Sequence, residues 1–316
     1  MIGAPAQQEC AEDGGSIRSR RTRSDLDKLD HRRRLDHRRP ICARHNGCMP
    51  IGQVTRGTTG TNRLRRIDRW IAQLPALRRA EHPLVVDLGY GASATTTLEL
   101  HQRLARVRPD VEVVGLEIEP SRVAAAVPFA RPGVQFAVGG FEVPLPGRGR
   151  DARATVIRAL NVLRQYDEAE VLPAWRLMVS RLQPDGLLVE GTCNEIGRIA
   201  SWVAVGARGP ESFTVALHLA SLAEAGEAPS VVAERLPKVL IHRNVDGEKV
   251  HSLLMELDRW WAVHAPLGVY GGPQRWVATC ASMRQAGWPV LGTRARWRLG
   301  ELTVAWEAVA PRGFAW

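Results

Sequence analysis

The run Pro83–Leu100, PLVVDLGYGASATTTLEL, constrains this chain more than any other part of it. It reads as a short buried strand, Leu84 to Leu88, that breaks into Gly89-Tyr90-Gly91 and then enters a helix. Two glycines one residue apart let the backbone turn tightly and leave no Cβ to hold a ligand away. Ser93 and Thr95 to Thr97 suit a helix start, where free N–H groups attract polar or anionic ligands. Strand, glycine turn and helix in this order mark the nucleotide end of a doubly wound α/β fold.

The periodicity downstream extends that reading. Strands are expected at 84–88, 111–117, 134–138, 154–160, 186–191, 212–218 and 301–309, with helices at 94–107, 120–128, 167–182 and 194–205. Alternating strands and helices imply parallel pairing with right-handed crossovers. The expected fold class is therefore α/β, a doubly wound, mostly parallel, seven-stranded sheet. Residues 219–298 read mostly as helix and are too long for a plain loop, so a helical cap is expected before the last strand. Trp260, Trp261 and Trp276 fall in that cap, where packing of amphipathic helices explains them more simply than a lining for a planar ligand. Leu64, Ile67, Trp70, Ile71 and Leu74 recur at helical spacing over 61–80, which predicts one helix laid on the core.

Charge divides the chain. All of the net +10 lies in residues 1–80, which hold 18 basic and 8 acidic residues; the remainder is neutral. A neutral core brings no excess charge to a phosphate backbone, which disfavours nucleic acid as partner. Residues 1–48 carry mixed charge with few aliphatic anchors and are expected to be a disordered extension, with Met49 the biological start. His37, Cys42, His45 and Cys48 lack standard zinc-ligand spacing, so no metal is expected. Five scattered cysteines do not make a disulfide framework, and a cytoplasmic location is expected. No segment approaches the roughly 18 apolar residues of a membrane span.

Gly89, Gly91 and Ala94 also satisfy the relaxed dinucleotide pattern, so the glycines leave the cofactor open. Asp87 separates the choices: a carboxylate there repels a pyrophosphate and attracts a cationic amino group.

At this point the core resembles the class I S-adenosylmethionine-dependent methyltransferases. VVDLGYGAS is similar to that family's first motif and VEVVGLEIEP to its second, VQFAVGGFEVPLP to its third strand and loop, and RLQPDGLLVEGT to its fifth strand. The resemblance spans roughly 81–218 and 299–310. It implies that S-adenosylmethionine is the cofactor, with Asp87, Gly89, Tyr90 and Gly91 at its methionine end. It further implies Glu117 on the ribose and Ile118 on the adenine face. Gly140 and Phe141 would lie at the adenine edge, where a backbone N–H or Glu142 must supply the hydrogen bond. Ala159 to Asn161 would line the methyl-transfer centre.

The chain reads Ala159-Leu160-Asn161-Val162-Leu163 after the fourth strand, without the Asn-Pro-Pro-Tyr of amine-directed enzymes, and without an acidic residue like that of aminopropyltransferases. A small-molecule acceptor is therefore the leading expectation. Alternatives are an RNA methyltransferase using the Arg-rich segment 56–79, or a non-catalytic cofactor-binding scaffold. Acceptor-side candidates are Tyr166, Glu190, Cys193, Glu195 and His242, with Glu190 foremost because it ends strand five at the ligand edge of the sheet.

Overall fold

A computed structural model describes residues 50–57, 60–149 and 151–316. The expected extension over 1–48 and the set His37, Cys42, His45 and Cys48 lie outside the described residues.

Five strands are parallel: β1 (Leu84–Leu88), β2 (Glu112–Glu117), β3 (Val134–Val138), β4 (Ala154–Leu160) and β5 (Leu182–Cys193). They stand in the order β3-β2-β1-β4-β5, so the order reverses between β1 and β4. Residues of β1 and β4 are buried throughout, as central strands covered on both faces should be. The helices α3 (Thr95–Leu104), α4 (Pro120–Ala126) and α5 (Glu168–Val179) connect strands in this half.

The other half differs from the seven-stranded expectation: the sheet has nine strands. After β5 come β6 (Ile199–Gly206), β7 (Gly209–Leu217), β8 (Val290–Leu291) and β9 (Glu301–Ala305), all antiparallel to their neighbours. The helix expected over 194–205 is thus strand β6. Its sequence IASWVAVG is buried on both faces, so it lacks the alternation that would have marked a strand. The GARG turn at 206–209 joins it to β7 as a hairpin. The expected strand 301–309 stops at Ala305 and continues as a 3-10 turn.

The helix expected over 61–80 is two, α1 (Arg65–Ile71) and α2 (Pro75–Arg79). Pro75 pushes Leu74 out of the helical region and then serves as the first residue of α2. Ile67, Asp68 and Ile71 of α1 are buried, and Trp70 packs edge-on against Trp202 of β6 at 5.7 Å. Side chains of Arg63, Arg66 and Arg78 bond to the carbonyls of Asn194, Leu299 and Ala72.

Residues 219–298 hold α6 (Leu219–Glu224), α7 (Lys238–Ile241), α8 (Lys249–Val263), α9 (Gly272–Gln285), α10 (Arg294–Trp297) and strand β8. Trp261 and Trp276 are buried with ring centroids 6.1 Å apart, in one cluster with Trp175 of α5 and with Val203 and Phe213 of the sheet. They pack core. Among the described residues no helix is long and apolar enough to cross a membrane.

Candidate functional site

The carboxyl ends of β1 and β4, where the strand order reverses, form the crevice in which open α/β sheets place ligands. Here β1 runs into Gly89 and Gly91, both left-handed with φ of +68° and +88°. A Cβ on Gly89 would stand 2.7 Å from Val162, and one on Gly91 3.0 Å from the carbonyl oxygen of Gly57. The glycines are there because side chains and backbone close on them from outside. The N–H of Gly91 donates to Glu117 at 2.9 Å, and that fully buried carboxylate also accepts the N–H of Ile118 at 3.0 Å. Arg122 stands 3.6 Å from it. The acid closing β2 and the turn closing β1 are therefore tied to each other.

Residues 51–57 cross this edge of the sheet as a strap. The N–H of Phe141 donates to the carbonyl of Ile51 at 2.9 Å, and the N–H of Ile51 donates to Glu142 at 2.9 Å. The other oxygen of Glu142 accepts the N–H of Gly140 at 2.9 Å. A Cβ on Gly140 would fall 2.0 Å from the oxygen of Ile51, so only glycine admits the strap this close. The hydroxyl of Tyr166 accepts the N–H of Gln53, and its ring lies 5.3 Å from that of Phe141. Arg122 bonds the carbonyl of Thr55 at 2.8 Å. Between strap and sheet, bounded by Glu117, Ile118, Gly140, Phe141 and Tyr166, about 20 Å³ remains. That is room for about one water.

On the other side of the glycine turn, a cavity of about 340 Å³ is lined by Asp87, Gly89, Tyr90, Gly91, Leu160 and Asn161, together with Arg56, Arg63, Arg164, Glu195 and Arg235. Asn161 holds φ +62°, a conformation asparagine tolerates better than most residues. Its side-chain oxygen accepts the N–H of Cys193 at 2.9 Å, which locks the loop after β4 onto the end of β5.

Asp87 is not a loose negative charge. Arg158, wholly buried in β4, donates to it at 3.0 and 2.6 Å, and Thr97 donates at 2.8 Å. Arg158 also pairs with Asp68 of α1, which Arg103 reaches as well. Burial opposes the charge on Arg158, but Asp87 and Asp68 more than offset it and raise its pKa. The attraction for a ligand's amino group argued from Asp87 is therefore already met within the fold. Arg158 and Asp68 were absent from the sequence argument, yet a signal existed. An arginine inside an otherwise apolar central strand demands a buried partner.

Of the acceptor-side candidates, Cys193 is buried and Glu195 reaches the open cavity. Glu190 is fully buried and lines neither cavity; burial pushes its pKa up to about 8, opposed by the indole of Trp175. Tyr166 stands under the strap, its pKa pushed up to about 12 by burial. His242 is exposed at the end of α7 and Ala159 is buried in β4; neither borders a cavity described above. No cluster of metal-ligating side chains occurs among the described residues.

The sequence matches no family model and no curated protein. Among solved structures the chain is similar to a pericyclic reaction enzyme (18% identity, 39% of this chain and 32% of that one, TM-score 0.30). It is similar to human N-acetylserotonin methyltransferase in complex with SAM (18%, 43% and 36%, TM-score 0.31). It is also similar to the CcbJ methyltransferase from Streptomyces caelestis (20%, 49% and 66%, TM-score 0.30). The chain thus spans about a third of the length of the first two. The α/β class rests on the strand order and pairing described above.

Proposed function

We propose that this chain binds S-adenosylmethionine at the β1–β4 crevice and transfers its methyl group to a small molecule. The observation that carries the reading is the set of polar groups under the strap. Phe141 N–H and the Glu142 carboxylate stand side by side, one donor and one acceptor, and they are engaged by the C=O and N–H of a single residue, Ile51. An adenine edge offers the same pair, a ring nitrogen that accepts and an amino group that donates. Glu117, one strand end away, has the acceptor oxygens a ribose diol needs. Ile118, Phe141 and Tyr166 supply apolar faces for a base.

The donor set therefore fits the cofactor, and the strap holds its place. Cofactor entry requires residues 51–55 to lift and exchange their bonds for those of the nucleoside. Glu117 would then hold the ribose, Glu142 and Phe141 the adenine, and the Gly89–Gly91 turn the methionine end. When bound, the cofactor supplies an electrophilic methyl group on sulfur. The chain's own contribution is to fix the acceptor in line with that group and exclude water. Among the described residues the carboxylates lining the open cavity are Asp87, which is already paired with Arg158, and Glu195, whose pKa is lowered by its own backbone N–H and by Arg235, which makes it a weak base; Glu190 lies elsewhere. Acceptors that need no strong base suit such a site.

Calorimetry with S-adenosylhomocysteine tests the reading, followed by transfer of a radiolabelled methyl group across small-molecule, RNA and protein fractions. Binding lost in Glu117→Ala and label in the small-molecule fraction are expected. No binding to the wild type would overturn it, and label in RNA would restore the alternative built on residues 56–79.

A further inference from the structure

The charge around the open cavity does not balance. Four arginines line it, Arg56, Arg63, Arg164 and Arg235, against the carboxylates of Asp87 and Glu195. Asp87 is matched by Arg158, which leaves Glu195 as the unmatched carboxylate of the lining, with Glu234 also acting on Arg164. That carboxylate is 72% exposed and meets Arg235 at 3.3 Å. Arg235 keeps a buried Nε without a hydrogen-bond partner. Arg164 bonds only a carbonyl, that of Glu234, at 3.0 Å, and no bond or ion pair is found for Arg56 among the described residues. The guanidinium groups also feel one another: burial lowers the pKa of Arg164, and the charges of Arg235 and Arg56 lower it further, while Glu195 and Glu234 offset part of the shift.

Crowding like charges around a cavity is unfavourable unless an anion completes it. Guanidinium groups present paired N–H donors that match the geometry of a carboxylate or phosphate. One end of this cavity is the Gly89–Gly91 turn, where the cofactor's methionine would lie, and position separates that end from the arginines beyond β4 and β5. Arg164 follows β4 and Arg235 approaches the end of β5 through Glu195, whereas the nucleoside half lies over β2 and β3. We infer that Arg56, Arg164 and Arg235 form an anion-binding subsite for the acceptor, whose chemical class is a small molecule bearing a carboxylate or phosphate. The acceptor part rests on the methyl-transfer reading; the subsite itself does not. A cavity of about 340 Å³ is of the size that holds small ligands.

The test uses the full chain with inorganic phosphate and benzoate as probes, and with S-adenosylhomocysteine and 5′-methylthioadenosine, which lacks the amino-acid carboxylate. Phosphate or benzoate should bind the wild type saturably, and Arg164→Gln/Arg235→Gln should weaken that binding at least tenfold. Affinity for S-adenosylhomocysteine should stay within about threefold. Arg164→Lys, which keeps the charge but loses the fork, should fall between the two. Absence of probe binding to the wild type, or equal binding to the double variant, overturns the subsite. If the double variant loses S-adenosylhomocysteine but keeps 5′-methylthioadenosine, the arginines hold the cofactor's own carboxylate and the acceptor assignment is overturned. If neither nucleoside binds the wild type while the arginine-dependent probe binding persists, the anion subsite stands and the cofactor reading falls.

Discussion

Over β2 and β3 the strap leaves about 20 Å³ above the sheet, while over β4 and β5 about 340 Å³ stays open. Both spaces border the same glycine turn, yet their polar groups are in opposite states. Under the strap Glu117, Glu142, the N–H of Phe141 and the hydroxyl of Tyr166 all have partners within the chain. Around the open cavity, guanidinium groups outnumber the carboxylates available to them. A ligand for the first half must compete with the strap, so its apparent affinity falls by the fraction of molecules in which the strap is lifted. A ligand for the second half meets an excess of guanidinium groups, of which Arg235 is paired with an exposed carboxylate and Arg164 bonds a carbonyl.

The largest effect is expected at the floor the two halves share. Arg158→Ala leaves Asp87 without its cationic partner in the interior and should cost about 3–5 kcal/mol of folding stability. Urea unfolding measures it. A loss below about 1 kcal/mol would mean that Asp87 is free to answer a ligand's charge, which would erase much of the contrast. Glu190 comes next and tests whether pH acts on the fold or on the open half. Burial raises its pKa from the ordinary 4.5 to about 8, so the folded protein keeps a proton that the unfolded chain releases. Stability present below pH 4.5 is therefore lost as pH rises to 8, by roughly 4 kcal/mol relative to Glu190→Gln. Stability measured from pH 5 to 8 should fall in the wild type and stay flatter in the variant. Equal slopes would show that Glu190 has escaped its burial and reaches the cavity.

Glu117→Ala sharpens the comparison directly. Bonds to a charged acceptor contribute about 1.5–3 kcal/mol each, so affinity for S-adenosylhomocysteine should drop by about 10- to 100-fold or more. Phosphate binding at the arginines should change less than twofold. Parallel loss of both would show one site, not two halves. The smallest change is expected from Ile51→Pro, which removes the N–H donated to Glu142. Loosening the strap by one hydrogen bond to a carboxylate, about 1.5 kcal/mol, should tighten S-adenosylhomocysteine binding about tenfold. Weaker binding instead would make the strap a clamp that closes on the ligand.

The parallel half of the fold was legible because its strands β1 to β4 are short, largely apolar segments bounded by a turn or a helix start. β1 and β4 match their expected limits, and Glu117 closes β2 as the spacing required. The antiparallel half was less so. β6 is buried on both faces, and a short apolar run without alternation has no period to separate strand from helix. β8 is two residues long, below what any periodicity can signal. At the site, the glycine turn and the acid of β2 were readable, whereas the partners of Asp87 were not. Asp68 and Arg158 are 90 residues apart, and only packing α1 against the sheet brings them into contact.

The sequence by itself determined the kind of edge this sheet presents: strand, glycine turn, helix start, and a second acid one strand over. Those features are local, since turn geometry and apolar runs act within a few residues. Which charges remain free at that edge was decided by the tertiary structure. Whether Asp87, Arg164 or Glu142 answers a ligand or a neighbour depends on contacts between distant segments, and burial strengthens each such contact well beyond its worth in water.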